Sequence, residues 1–268
     1  MTAAAIQAHP AAPWAWRRLS ALAFPVLLIG GVILAWSLAV RVFAIPAYLL
    51  PPPGDVFLRI AQNQAMFLRH GAATLAVILA GFAISVVVGV ALALLVVLHR
   101  PAERVLMPLI VGSQTIPKVA IAPLFVVWLG FGMTPKIAVT FLISFFPVVI
   151  STVAGLRAIE AEMLDLVRSM GGGPAQLMLK ARIPTALPQI FSGLKIAITS
   201  AVVGAIVAEF VGSDVGLGYL LLTSTATMDG PLVWSALLIL VAMGVALFLA
   251  MLHLERAVIP WHVSMRPR

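Results

Sequence analysis

Apolar residues run in long blocks along this chain instead of alternating with polar ones. A helix needs roughly 20 mostly apolar residues to cross a bilayer. Six blocks meet that length: residues 20–42, 73–98, 105–130, 137–154, 188–211 and 232–252. No period-2 alternation supports a transmembrane barrel, so helices are the way left to pair every backbone group in lipid. The pattern predicts an all-α integral membrane protein with six transmembrane helices. A single domain spans residues 20–256, between tails at 1–19 and 257–268.

Within the blocks, small residues recur every fourth position. Gly81, Ser85, Gly89 and Ala93 form one face, and Ser200, Gly204, Ala208 and Gly212 another. Such faces let helix backbones approach closely in lipid. The first reads as packing within the chain. The second reads equally as packing within the chain or contact across a dimer axis. After the first block, Pro51, Pro52 and Pro53 lead to Asp55, which is placed to cap a short helix from Val56 towards Arg69 at the membrane interface.

The stretch from 156 to 187 is not a plain linker. Met163, Leu166, Val167 and Met170 fall on one helical stripe, with Glu160, Glu162 and Asp165 near the positive helix end. Gly171, Gly172 and Gly173 stop that helix, and Pro174 opens a second one running to Arg182. The pattern is helix, glycine turn, helix. Its apolar stripe must be covered by the bundle or by a partner.

Composition sharpens the picture. Hydrophobic residues make up 62% of the 268 positions and charged residues 10%, against about a quarter charged in soluble domains. A soluble enzyme is excluded. The absence of cysteine removes disulfides, thiolate metal sites and thiol nucleophiles. Lys and Arg number 17 against 9 Asp and Glu. These cations flank the apolar blocks, so they read as membrane anchors and not as a nucleic-acid surface.

With the N-terminus inside, twelve cations fall on the cytoplasmic side: Arg17, Arg18, Arg100, Arg104, Arg157, Arg168, Lys180, Arg182, Lys195, Arg256, Arg266 and Arg268. Four fall outside: Arg41, Arg59, Arg69 and Lys136. The bias predicts both termini in the cytoplasm. The first block exceeds a signal-peptide core, so it reads as an uncleaved span.

Several residues carry candidate chemistry. Lys118 lies inside the third block beside Pro117, and it can serve an anionic solute or pair with a carbonyl freed at the kink. Gln114 and Thr115 lie a turn away and can line the same path, while Trp128 and Phe131 can face its outer mouth. Glu209 reads as a tie to the outer loop, and Lys195 as a side chain snorkelling to the headgroups. The remaining tryptophans sit mostly near span ends, as an interfacial belt does. His9, His70, His99, His253 and His262 show no metal-ligand spacing, so no metal is expected.

Three segments resemble a known family. Asp165 to Gly171 reads DLVRSMG and Ala181 to Pro184 reads ARIP. This is similar to the EAA loop of permease subunits of ATP-binding-cassette importers, with the Gly171-to-Pro184 separation kept. Asp165 stands for the Glu, Leu166 and Val167 for the alanines, and Ala181 for the Ile. Thr115 to Ile137, TIPKVAIAPLFVVWLGFGMTPKI, resembles the third-span signature of the nitrate/sulfonate/taurine-type permeases. Ala208 to Leu221, AEFVGSDVGLGYLL, resembles the block that ends their fifth span.

The resemblance implies a type I importer permease fold with a cytoplasmic coupling helix in the bacterial inner membrane. It implies a second permease subunit, taken as a homodimer partner, two cytoplasmic ATPase subunits and an extracytoplasmic binding protein. It places ATPase docking on Asp165, Arg168, Ser169, Gly171, Gly172 and Pro184. None of the four lysines follows a glycine, so the chain has no G-x-x-x-x-G-K-[ST] phosphate cradle. Mg-ATP is therefore expected in the partner ATPase, with no cofactor and no enzyme activity in this chain. The implied solutes are small organic anions or thiamine-pyrimidine and riboflavin-like heterocycles. Met228 to Leu240, MDGPLVWSALLIL, leans to the heterocycle branch. The rival is an ion-coupled secondary transporter, against which the chain shows no internal repeat.

Overall fold

The computed structural model describes residues 14–261. Arg266, Arg268, His9 and His262 lie outside these residues, as do the side chains before residue 27. The elements are α1 (Trp14–Val42), α2 (Pro53–Gln62), α3 (Gln64–Leu98), α4 (Arg100–Ser113), α5 (Lys118–Leu129), α6 (Met133–Arg157), α7 (Ala161–Ser169), α8 (Pro174–Gln176), α9 (Ile183–Gly212), α10 (Leu217–Ala226) and α11 (Gly230–Val258). A π-helical turn, Leu177–Arg182, joins α8 to α9. The fold is all-α.

Helix α6 is the centre. On one side Gly81, Ser85 and Gly89 of α3 meet Thr140, Ser144 and Val148 at a constant offset of 59 residues, so α3 and α6 run parallel. On the other side Gly155, Gly193 and Gly204 bring α6 against α9 in the opposite sense. Gly155 meets Ala186, Gly193 meets Ser151, and Gly204 meets Thr140. A methyl group at Gly81 would sit 2.6 Å from Thr140 Cγ2, and one at Gly204 would sit 2.9 Å from Thr140 Cα. Lipid tails are as apolar as leucine, so close backbone approach is what holds such helices together. The α3 stripe is therefore packing within the chain. The α9 stripe is also spent largely within the chain, at Gly204 and the buried Ala208 on α6 and α5, which removes those two residues from a dimer contact.

Buried hydroxyls occupy the same seam. Ser85 Oγ and Ser144 Oγ lie 2.7 Å apart, and Ser144 also donates to the Thr140 carbonyl. Ser85 and Ser144 each find a carbonyl, that of Phe141 and that of Thr140, as polar groups in lipid need. Around the seam lie Val77, Ile78, Ile198 and Val202 on one flank and Val96, Phe146 and Val149 on another. Large apolar side chains such as Leu34, Val87, Val127 and Val241 face outward, as a lipid-facing surface requires.

The parallel course of α3 and α6 settles how the chain travels between them. It must return from the Leu98 end to the Met133 end, so α4 and α5 together cross the bundle. They do so as a broken pair bent by 98° at residues 114–117. The expected third span is thus not one helix. Pro117 supplies no N–H, and Gln114, Thr115 and Ile116 turn the chain by bonds to carbonyls three residues back. Among the described residues, four helices are long and apolar enough to cross a membrane, or five with the bent pair taken as one span. In α1 the described apolar part, Leu27–Val42, is too short by itself to be added.

Three further expectations change. Asp55 does not cap a helix: α2 starts at Pro53 with no side-chain cap, and Arg69 lies in α3. The expected second helix of the 156–187 stretch does not end at Arg182 but runs on through the π turn into α9. Pro184 cannot donate to the carbonyl four residues back, and the wider π turn just before it accommodates that loss. Lys195 does not snorkel to the headgroups. Its Nζ lies 2.8 Å from Glu255 Oε2 of α11, with the two side chains only 21% and 6% exposed.

Overfilling the α6 seam is the direct test of this packing. Gly81→Val and Gly204→Val should each cost about 1–3 kcal/mol or more, read as a lower melting temperature of the detergent-solubilised protein. Gly30, with open space around it, is the control, and Gly30→Val should melt unchanged. Equal melting of all three variants would contradict the seam.

Candidate functional site

The α6–α9 connection forms a compact projection at one end of the bundle. Its first half, α7, has no buried residue. Met163, Leu166 and Met170 of the predicted stripe are 49%, 53% and 79% exposed, and Val167 alone is partly covered. Asp165 and Arg168 form an exposed pair at 2.9 Å, and Ser169 Oγ donates to the Leu166 carbonyl.

The helix ends in a Schellman motif. Gly172 N–H donates to the Val167 carbonyl at 2.9 Å, and Gly171 N–H to the Arg168 carbonyl at 2.9 Å. Gly171 sits at φ +79°, where a side chain is strained although the space around it is open. Gly172 is required for the opposite reason, since a methyl there would lie 2.7 Å from both Val167 Cγ1 and the Val167 carbonyl oxygen. Beyond the turn, Pro184 falls inside the continuous helix 174–212, two residues after the π turn. An exposed pair at 2.7 Å, Arg157 with Glu103, ties the end of α6 to the start of α4 beside the projection.

At the opposite end, Glu209 is fully buried. Its Oε1 accepts from Thr74 Oγ1 at 2.8 Å and its Oε2 from the Gly218 N–H at 2.7 Å. Leu217 N–H donates to Thr74 Oγ1 at 2.8 Å, and Gly216 N–H lies 3.0 Å from His70 Nδ1. Gly216, at φ +137°, lies directly against the Glu209 carboxylate, where no side chain fits. The third resemblance block is therefore a clasp that folds α10 back onto α3 and α9. Lys136 completes it from α6, buried and donating to Ser213 Oγ at 2.9 Å. Sequence reasoning named Glu209 and missed His70 and Thr74. Their i, i+4 spacing on α3 was the available signal.

Of the candidate path residues, Gln114, Thr115 and Lys118 lie together at the break, and Trp128 lies apart from them. Gln114 and Thr115 are exposed at the break in the bent pair. Lys118 donates to the Gln114 carbonyl at 3.3 Å and lies 4.7 Å from the Phe146 ring centroid. Trp128 is exposed near the far end of α5, about 15 Å along the helix from Lys118. Its neighbour Phe131 lines a cavity of about 660 Å³ together with Phe210, Ser213, Asp214 and Tyr219. Trp234 donates to the Leu49 carbonyl and packs on Trp36 at 5.3 Å, tying the segment after α1 to α11. Among the described residues, no group of His, Asp or Glu is arranged to hold a metal ion.

Residues 85–260 match the family model described as "Binding-protein-dependent transport system inner membrane component". The chain is 38% identical to the formylaminopyrimidine transport permease protein ThiX of Halalkalibacterium halodurans, over 88% of this chain and 95% of that one. It is 35% identical to the riboflavin transport system permease protein RibX of Chloroflexus aurantiacus, over 91% of each. It is 27% identical to the taurine transport system permease protein TauC of Escherichia coli, over 93% of each. Its fold is similar to a chain of the MetNI methionine ABC transporter in inward-facing conformations, with TM-score 0.62 and 20% identity, covering 74% of this chain and 98% of that one.

The clasp makes a measurable contribution to order at its end of the bundle. Glu209→Ala strips the acceptor from Thr74 and from Gly218, at about 1–3 kcal/mol for each donor left unsatisfied. The variant should be cut faster by added protease at residues 213–216 than Glu209→Gln, which keeps an acceptor oxygen. Equal cleavage of both variants and the wild type would count against the clasp.

Proposed function

The chain belongs to the family of binding-protein-dependent transport system inner membrane components, and from that membership we propose that its α6–α9 projection is the lever through which a separate ATPase drives the bundle. The chain is a multi-pass inner-membrane permease of an ATP-binding-cassette importer, a class that works with an ATPase and a substrate-binding protein. The observation that carries the proposal is α7. Met163 and Leu166 of this nine-residue helix and Met170 just beyond it leave about half or more of their surface exposed, and the helix ends in a fixed glycine turn. Such a stripe needs a partner groove.

In this reading two ATPase subunits each grip one projection of a permease pair, taken as a homodimer. Asp165, Arg168 and Ser169 border the docking face, while Gly171 and Gly172 set its angle. ATP-driven closure of the ATPases draws the projections together. The motion enters α9 through the continuous helix 174–212. The α6 seam, the Lys195–Glu255 pair and the Arg157–Glu103 pair carry it to α6, α11 and α4. The bundle then alternates between two states, each favoured by a different partner. Pro184, at the π turn, is where the lever can bend. Mg-ATP stays with the partner.

The cations favour a cytoplasmic position for the projection. Arg100, Arg104, Arg157, Arg168, Lys180, Arg182 and Arg256 lie on elements at its end, against Arg41, Arg59, Arg69 and Lys136 at the other. Both termini are then cytoplasmic. The solute is a neutral pyrimidine-like or flavin-like heterocycle, the class named for the relatives at 38% and 35% identity. A sulfonate such as taurine is named at 27%. Lys118 is engaged with a carbonyl and an aromatic ring, which leaves it poorly placed as an anion receptor.

The test is uptake into proteoliposomes holding the permease, its ATPase and its binding protein. Labelled pyrimidine or riboflavin should enter only with ATP. Gly171→Val should lower uptake at least tenfold while the protein inserts normally. Leu166→Glu should abolish co-purification of the ATPase. Uptake driven by an ion gradient without ATP would instead establish the secondary-transporter reading.

A further inference from the structure

We propose that the cavity at the α10 end is the receiving site for the transported solute, and that it takes a planar nitrogen heterocycle carrying no negative charge. The inference deepens the importer reading and rests on it. The cavity, at about 660 Å³, lies within the roughly 300–1,000 Å³ common for small-molecule sites.

Its walls are built from connections that the clasp holds in place. Phe131 stands on a turn between Gly130 at φ +75° and Gly132 at φ +125°. The ring is 83% exposed, the most exposed phenylalanine among the described residues, and it lines the cavity wall. Tyr219 stands parallel to the His70 ring of the clasp at 6.1 Å between centroids, which fixes its orientation. Phe210 lines the cavity from α9. Three aromatic rings around one space favour a flat, polarisable ligand.

Charge sets the second half of the specificity. Asp214 lines the cavity and is exposed, with no hydrogen bond or ion pair to any described residue. Ser213 Oγ is already engaged by Lys136 Nζ and by the Val215 carbonyl. Lys136 is buried behind that serine, and no Lys or Arg is among the lining residues. The only formal charge in the wall is therefore negative. A carboxylate accepts from ring N–H and amino groups, and it repels a sulfonate. Asp214 is then a specificity-determining residue and Phe131 a stacking one.

The experiment is saturation-transfer NMR on the detergent-purified permease–ATPase complex, with 4-amino-2-methylpyrimidine and ethanesulfonate as probes. The pyrimidine should give a signal on the wild type, and ethanesulfonate none. Phe131→Ala should reduce the pyrimidine signal at least fivefold, and Phe131→Tyr should restore it. Asp214→Lys should lose the pyrimidine and gain ethanesulfonate. Both side chains are exposed, so the variants should fold, and their ATPase co-purification reports on this. No pyrimidine signal on the wild type, or one unchanged in Phe131→Ala and Asp214→Lys, overturns the inference. If wild-type uptake still depends on ATP in that case, the importer reading stands and only the site is wrong. If no ATPase accompanies the chain and uptake ignores ATP, the importer reading itself fails.

Discussion

Backbone contact along α6 is the constraint on which the rest of the structure depends. In water, burial of apolar side chains would bring helices together. In lipid that drive vanishes between helices, and what remains is close packing plus hydrogen bonding. Glycine on α3 and α9 lets both helices reach Thr140, so one point on α6 is touched from two sides. Ser85 and Ser144 then bond within the same seam. A helix held this tightly on opposite faces moves with its neighbours as a unit.

The two ends of that unit are built differently. At the α7 end the ties are ion pairs, Lys195 with Glu255 and Arg157 with Glu103. A charge left alone inside a bundle is costly, so a pair at 2.8 Å between α9 and α11 discourages their separation. At the α10 end an ion pair between Arg59 of α2 and Asp229 before α11 is joined by a carboxylate fed by backbone and hydroxyl donors around Gly216 and Gly218. Between these ends the bent pair α4–α5 is the element whose hydrogen-bond ladder is broken. A bundle with a stiff centre, two tied ends and one broken crossing suits rigid-body rocking driven from the projection.

Much of this was legible in residue order. Four of the six expected spans, α3, α6, α9 and α11, follow from block length alone. The glycine turn after α7 was readable because three consecutive glycines stop a helix, while the space at Gly172 too small for a methyl group emerged only in the structure. Glu209 was readable as a structural tie because a carboxylate inside an apolar block must find donors. Lys195 misled, because its partner Glu255 lies 60 residues away and nothing local marks the pair. Asp55 misled as well, because a proline run can start a helix without any side-chain cap.

By itself the sequence determined the class, the helical content and the position of the projecting loop, because each depends on local chemistry: apolar length, proline, glycine and cation placement. Only the tertiary structure decided that α3 and α6 run parallel, that the third stretch crosses as a 98° broken pair, and that the second loop helix is the foot of α9. It also decided that Lys118 faces Phe146 and that Phe131, Phe210, Asp214 and Tyr219 share one cavity. Those facts depend on which distant surfaces fit within a few tenths of an ångström, and no local pattern encodes that fit.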